Sequence, residues 1–170
     1  GLVLDDKNRT IHIDTSKVAH DIEEVYGRYV DGDLEFFKIS EDYAEGFYHF
    51  LESLQRREAK DIKYIKGQIT GPISYALSLT DQNKRSIIYD RDLFEILTKV
   101  LSMKAKWQIK KLREKNPNVI IFIDEPYLVS IGSSFVNIDI EEAAKRLEEV
   151  INAIREGGAL VGAHCCGNTD

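Results

Sequence analysis

Val119-Ile-Ile-Phe-Ile-Asp-Glu-Pro126 runs without a break from five apolar residues into two carboxylates and a proline. An unbroken apolar run of strand length, rich in β-branched residues, is the pattern of a parallel strand buried on both faces. Proline at 126 keeps Glu125 out of the helical region of backbone space. The segment therefore predicts a buried strand that delivers Asp124 and Glu125 onto a rigid turn at its C-terminal end. One carboxylate there can face a pocket and bind a substrate ammonium group while the other turns back to anchor loops. A loop of acids that caps backbone amides accounts for the same residues.

Upstream of this strand, Asn116-Pro-Asn118 stops a helical pattern from about Asp92 to Glu114, with Phe94, Leu97, Leu101, Ala105, Ile109 and Leu112 on one side. Before it, Ile62 to Thr70 reads as a strand that breaks at Gly71-Pro72, followed by a short helix near Ile73 to Leu79. Downstream, after a loop rich in glycine and serine, Asp139 caps a helix from Ile140 to Glu156 that Gly157-Gly158 terminates. Ala159-Leu-Val-Gly-Ala163 is then a third strand, running into His164-Cys-Cys-Gly-Asn-Thr-Asp170. Two helices are expected nearer the N-terminus. The first covers about 15 to 30, with capping residues in Asp14 to Ser16 and an end at Gly32. The second covers about 40 to 57 and carries Tyr43, Phe47, Phe50, Leu51 and Leu54 on one face. Ahead of them, two short alternating runs around Asp6-Lys-Asn-Arg9 predict a hairpin outside the main sheet.

Strand, helix, strand, helix, strand implies an α/β fold of parallel strands joined by crossover helices, either a barrel or a doubly wound sheet. Polarity favours the barrel. Each strand is apolar until its C-terminal end, where it delivers Gln68, Thr70 and Gly71, or Asp124 and Glu125, or His164 and Cys166; barrel enzymes gather their active sites at that end. No glycine-rich dinucleotide fingerprint follows any strand. The expected architecture is a fragment of a (β/α)₈ TIM barrel, a single domain over 1–170 with an N-terminal β-hairpin. Three strands do not close a barrel, so the chain reads as a piece of a longer protein. Further segments or copies of the chain would then cover the unpaired edges.

Composition narrows the function classes. With 43% hydrophobic and 31% charged residues and three prolines, the 170-residue chain suits one soluble, helix-rich globular unit. The net charge of −6, with acids and bases interleaved, offers no basic stripe for nucleic acid. No apolar run approaches a membrane span. Two adjacent cysteines make no disulfide framework, which favours a cytoplasmic setting.

Two further stretches carry candidate chemistry. In an extended strand, side chains two apart share a face, so His164 and Cys166 point one way and Cys165 the other. Nitrogen and sulfur on one surface suit a tetrahedral zinc ion, which lowers the pKa of a bound thiol. Gly162, Ala163 and Gly167 beside them leave room for metal or substrate. The plainer reading makes the cysteines small buried hydrophobes and His164 a hydrogen-bonded strand-end residue; a vicinal Cys165–Cys166 disulfide is a third. Gly67-Gln-Ile-Thr-Gly-Pro-Ile-Ser74 lets backbone amides at Gly71 approach a ligand, with Gln68 and Thr70 as hydrogen-bond donors, and equally suits a plain strand-to-helix turn. His12, His20 and His49 read as surface or packing residues, and Trp107 as core or covering aromatic.

Thr70-Gly-Pro72, then Ile123-Asp-Glu-Pro126 after an apolar strand, then His164-x-Cys166, in this order, resemble the catalytic barrel of cobalamin-independent methionine synthase. The ending His164-Cys-Cys-Gly-Asn-Thr169 is also similar to the zinc-binding stretch of corrinoid-protein methyltransferases in the uroporphyrinogen decarboxylase-like group. The motifs span about 67 to 169. The resemblance implies a (β/α)₈ barrel of which these are about the third to fifth strands. It implies zinc held by His164, Cys166 and a later cysteine, activating a thiol to accept a methyl group. It also implies that Asp124 binds the amino group of homocysteine or methionine, with Glu125 beside it in the catalytic pair, and that a folate or methylcorrinoid is the methyl donor. Two other functions fit the same barrel: a metal-free decarboxylase of tetrapyrrole side chains, and a non-catalytic module that binds a thiol or a corrinoid protein.

Overall fold

A computed structural model describes residues 1–5, 7, 10–56, 62–131 and 136–167. The described residues form a mixed α/β structure with two three-stranded sheets. The larger is wholly parallel. It contains β3 (Ile65–Thr70), β5 (Val119–Asp124) and β6 (Leu160–His164), in that order, so neighbours in space are successive along the chain. The smaller consists of the antiparallel hairpin β1 (Leu2–Asp5) and β2 (Thr10–Ile13), with β4 (Thr80–Asp81) added parallel to β2. The hairpin thus stands outside the main sheet, as its sequence predicts. A two-residue strand such as β4 has no periodicity to read. Most of the expected turn Asp6–Arg9 lies outside the described residues, as do Arg57 at the expected helix end, the loop 132–135 and the tail 168–170.

Among the described residues, five α-helices follow the apolar patterning: α1 (Val18–Val30), α2 (Glu41–Arg56), α3 (Pro72–Ser78), α4 (Arg91–Arg113) and α5 (Ile140–Glu156). Asp90 and Asp139 cap α4 and α5, each accepting from two backbone amides of its first turn. The expected cap of α1 is not made. Asp14 instead accepts from the Ser16 amide and hydroxyl and pairs with Lys17 at 2.8 Å, so the helix starts two to three residues later. Lys17 and Ser16 hold the Asp14 carboxyl down at about 2. Gly32 supplies the left-handed conformation (φ 67°) that ends the first helical segment.

Helices α4 and α5 pack on one face of the parallel sheet, and the main core lies between them. Ile65, Ile69, Val119, Ile121 and Ile123 point into it against Leu101, Ala105, Ile109, Leu112, Val150 and Ile154. Trp107 belongs to the core, against Phe47 and Tyr48 of α2. A second core joins α3, the start of α4 and Ala143 to Ile13, Val18 and Ile22. Between α4 and α5, buried Arg146 reaches Glu95 and Glu142 while Lys99 reaches Glu95 and Glu149.

The expectation that β5 is buried on both faces is corrected. Val119, Ile121 and Ile123 are sealed, but Ile120, Phe122 and Asp124 are only half-buried. Among the described residues, helices cover one face alone, and the register puts Lys66, Gln68 and Thr70 of β3 and Leu160, Gly162 and His164 of β6 on the other with them. The described residues form no closed barrel.

Candidate functional site at the strand ends

The open face is ordered in rows, because parallel neighbours in register put their side chains side by side. The top row, at the C-terminal ends, is Thr70, Asp124 and His164; the next is Gln68, Phe122 and Gly162; the lowest is Lys66, Ile120 and Leu160. Four of the expected site residues, Gln68, Thr70, Asp124 and His164, therefore share one surface.

His164 stands between two partners. Its Nδ1 is 3.4 Å from Asp124 Oδ1, and its Nε2 is 3.6 Å from the sulfur of Cys166. His164 is 58% exposed, Cys166 is exposed and Cys165 is half-buried; both thiols are free, so no vicinal disulfide is formed. The strand ends at His164, yet Cys166 still returns to the same side. Among the described residues, Asp124 Oδ2 has no protein donor.

Asp124 and Glu125 diverge. Glu125 is 3% exposed, and its carboxylate accepts from the amides of Ile73 (2.9 Å) and Ser74 (2.8 Å) and from the Ser74 hydroxyl (2.6 Å). The Ser74 oxygen in turn accepts from the Tyr127 amide, tying the short 3-10 turn Pro126–Ser130 to α3. Burial pushes the Glu125 carboxyl up, against the pull of these three donors. Glu125 thus stands as the anchor of the acidic pair, with both oxygens engaged. Gly71 has a related explanation: a Cβ there would collide with this carboxylate, so the glycine makes room for Glu125 and the amides beyond it are taken by a side chain of the protein itself.

Gly162 and Gly167 do not leave the space expected of them. The ring of Phe122 lies where a Cβ at 162 would be, and Val129 fills the same position at 167. Lys66, which the sequence did not single out, is the long cation of the open face. Its ammonium bonds to Gln68 Oε1 at 2.7 Å and lies 4.9 Å from the centre of the Phe122 ring. Its position two residues before Gln68 is the signal that would have found it.

His12, His20 and His49 lie in β2, α1 and α2, away from the row. Among the described residues, no group of three or more His, Cys, Asp or Glu stands close enough to cage a metal ion. No described helix is long and apolar enough to cross a membrane. Comparison with known proteins finds no matching family model, no matching curated protein and no matching solved structure.

Proposed function

We propose that this chain carries the thiol-activating side of a zinc-dependent methyltransferase, which passes a methyl group to a small thiol such as homocysteine. The observation that carries the reading is the His164–Cys166 pair with Asp124 behind it. Ligands on a tetrahedral zinc, with Zn–N of about 2.0–2.1 Å and Zn–S of about 2.3 Å, stand about 3.5 Å apart; the nitrogen and sulfur here are 3.6 Å apart. A carboxylate on the far ring nitrogen is the usual partner of a metal-bound histidine, fixing its tautomer and orientation. The donor set therefore fits zinc as two of its ligands, and the resemblance assigns another to a cysteine on a later strand.

Bound there, zinc would hold the acceptor sulfur as a thiolate at neutral pH. The protein's own residues do the rest. Asp124 Oδ1 orients His164, while Oδ2 is available to an acceptor's ammonium group. Thr70 stands beside Asp124 in the same row, and Gln68 stands one row below. Glu125 fixes the turn that aims Asp124. Transfer makes one sulfur–carbon bond and breaks the donor's bond to the methyl group, whose electron pair stays on the folate nitrogen or corrinoid cobalt. The thiol proton leaves to solvent or to that nitrogen.

The finer fold belongs to the same proposal. Parallel strands in sequential order, helices on one face and polar residues at the C-terminal ends of the other are what three consecutive units of a (β/α)₈ barrel present. The open face is then the barrel interior, and the free edges of β3 and β6 pair with further strands or with copies of the chain. The setting is cytoplasmic, in keeping with two free thiols, and the partners are the thiol and a folate or methylcorrinoid donor.

A second reading rests on the same three residues. Without metal, Asp124, His164 and Cys166 are an orienting carboxylate, a base and a sulfur nucleophile in line. Methyl-transfer assays with homocysteine and labelled methyl-folate or methylcobalamin, before and after chelation, separate the two. Transfer lost on chelation and restored by zinc, and absent in Cys166→Ser, supports the proposal. Acyl or alkyl transfer that survives chelation supports the second reading.

A further inference from the structure

We infer that Lys66 is an anion-binding residue of the site, taking the carboxylate of a small thiol acid whose sulfur lies at His164 and Cys166. The inference rests on the thiol reading above for the sulfur end, and on the open face alone for the acid end. Lys66 is exposed, and its ammonium has two neutral partners, Gln68 Oε1 and the face of Phe122. Among the described residues no carboxylate pairs with it, whereas Lys17, Lys99, Lys106, Lys110 and Lys111 each have at least one. An ammonium has three donors, so capacity for an anion remains after Gln68 has taken one.

The side chain is also held in position. Phe122 is wedged over Gly162, where any Cβ would meet its ring, so the aromatic surface under the ammonium is fixed. Lys66 starts in the lowest row but bonds to Gln68 in the middle row, which brings its charge toward the top row of Asp124 and His164. Rows two residues apart are about 6.6 Å apart along a strand. A thiol and a carboxylate joined by two or three carbons span about 4–5 Å, which matches that interval once the hydrogen bond is added. Asp124 above and Lys66 below give the face a negative and a positive pole, the arrangement that fits an amino acid bearing a side-chain thiol.

Calorimetric titration of the zinc-loaded protein with 3-mercaptopropionate, 3-mercaptopropan-1-ol and propionate tests this, in wild type, Lys66→Met and Lys66→Arg. The expected result is about tenfold tighter binding of 3-mercaptopropionate than of the alcohol. That preference should be lost in Lys66→Met, kept in Lys66→Arg and reduced by salt. Absence of a charge preference in wild type, or its survival in Lys66→Met, overturns the inference even where thiols bind. If propionate binds as well as 3-mercaptopropionate and the preference for acid still depends on Lys66, the anion site stands and the thiol reading fails.

Discussion

The two faces of the parallel sheet are built from the same three strands and have opposite tasks. On the helix-covered face, Ile65, Ile69, Val119, Ile121 and Ile123 are all but sealed. On the open face, Lys66, Thr70, Asp124, Phe122 and His164 are exposed or half-buried, and every side chain proposed for chemistry is there or one step beyond it. A strand alternates its side chains, so stability and function are divided residue by residue within a single element. Asp124 and Glu125 repeat the division at the turn: the first opens onto the row, and the second closes into the protein.

The largest effect expected from this division is on the covered face. Ile121→Ala should cost about 3–4 kcal/mol in urea unfolding, since a fully buried isoleucine is lost and a cavity is left. Its neighbour Phe122→Ala should cost about 1 kcal/mol, because that side chain is only half-buried and lies on the face without helices. Equal losses at the two positions would show that the open face is covered after all.

Next in size, Glu125→Ala should cost about 2–3 kcal/mol by leaving two buried amides and the Ser74 hydroxyl unpaired, while Asp124→Ala should change stability by about 0.5 kcal/mol or less. The pH dependence gives the sign. Burial raises the Glu125 carboxyl above its ordinary value of 4.5. Its contribution is therefore fully present below that value and is lost as pH rises through the folded-state value. Glu125→Gln should remove that decline from a series of thermal melts above pH 4.5; a decline of the same size in the variant would mean that the three donors cancel the effect of burial, and a steeper one that they outweigh it.

A smaller change tests the packing of the open face. Gly162→Ala sets a methyl group against the Phe122 ring and should cost about 1 kcal/mol as the ring is displaced. The same displacement should loosen Lys66, seen as a shift of its ammonium resonance. Smallest of all, Cys166→Ser should leave unfolding unchanged to within about 0.5 kcal/mol, because the thiol is exposed.

Much of the fold was legible because its elements are long and strongly patterned. Helix α5 was bounded by Asp139 and Gly157, and β5 by Asn118 and the acids that follow it. What escaped depended on partners distant in sequence. Nothing within Val119–Ile123 says that one face will lack a cover; at Asp14 the competition was local instead, with Ser16 and Lys17, two and three residues on, taking the carboxylate from the helix amides. At the site, the His164-x-Cys166 spacing was enough to bring nitrogen and sulfur together. The choice between Asp124 and Glu125 was not readable, because it is set by Ser74, fifty-one residues from Glu125. Lys66 was missed because a lysine on a strand is ordinarily a solvated charge; its spacing from Gln68 already put the two on one face, and the register adds Asp124 to the same surface.

Cobalt(II) titration of the protein, read by its optical spectrum, asks whether His164 and Cys166 hold a metal together, because thiolate and imidazole donors on cobalt give distinct bands. The expected result is a thiolate-to-cobalt charge-transfer band that zinc abolishes by competition, that Cys166→Ser removes, and that Cys165→Ser leaves in place. A band that persists in Cys166→Ser, or a wild-type protein that binds cobalt only weakly and without sulfur, would contradict it.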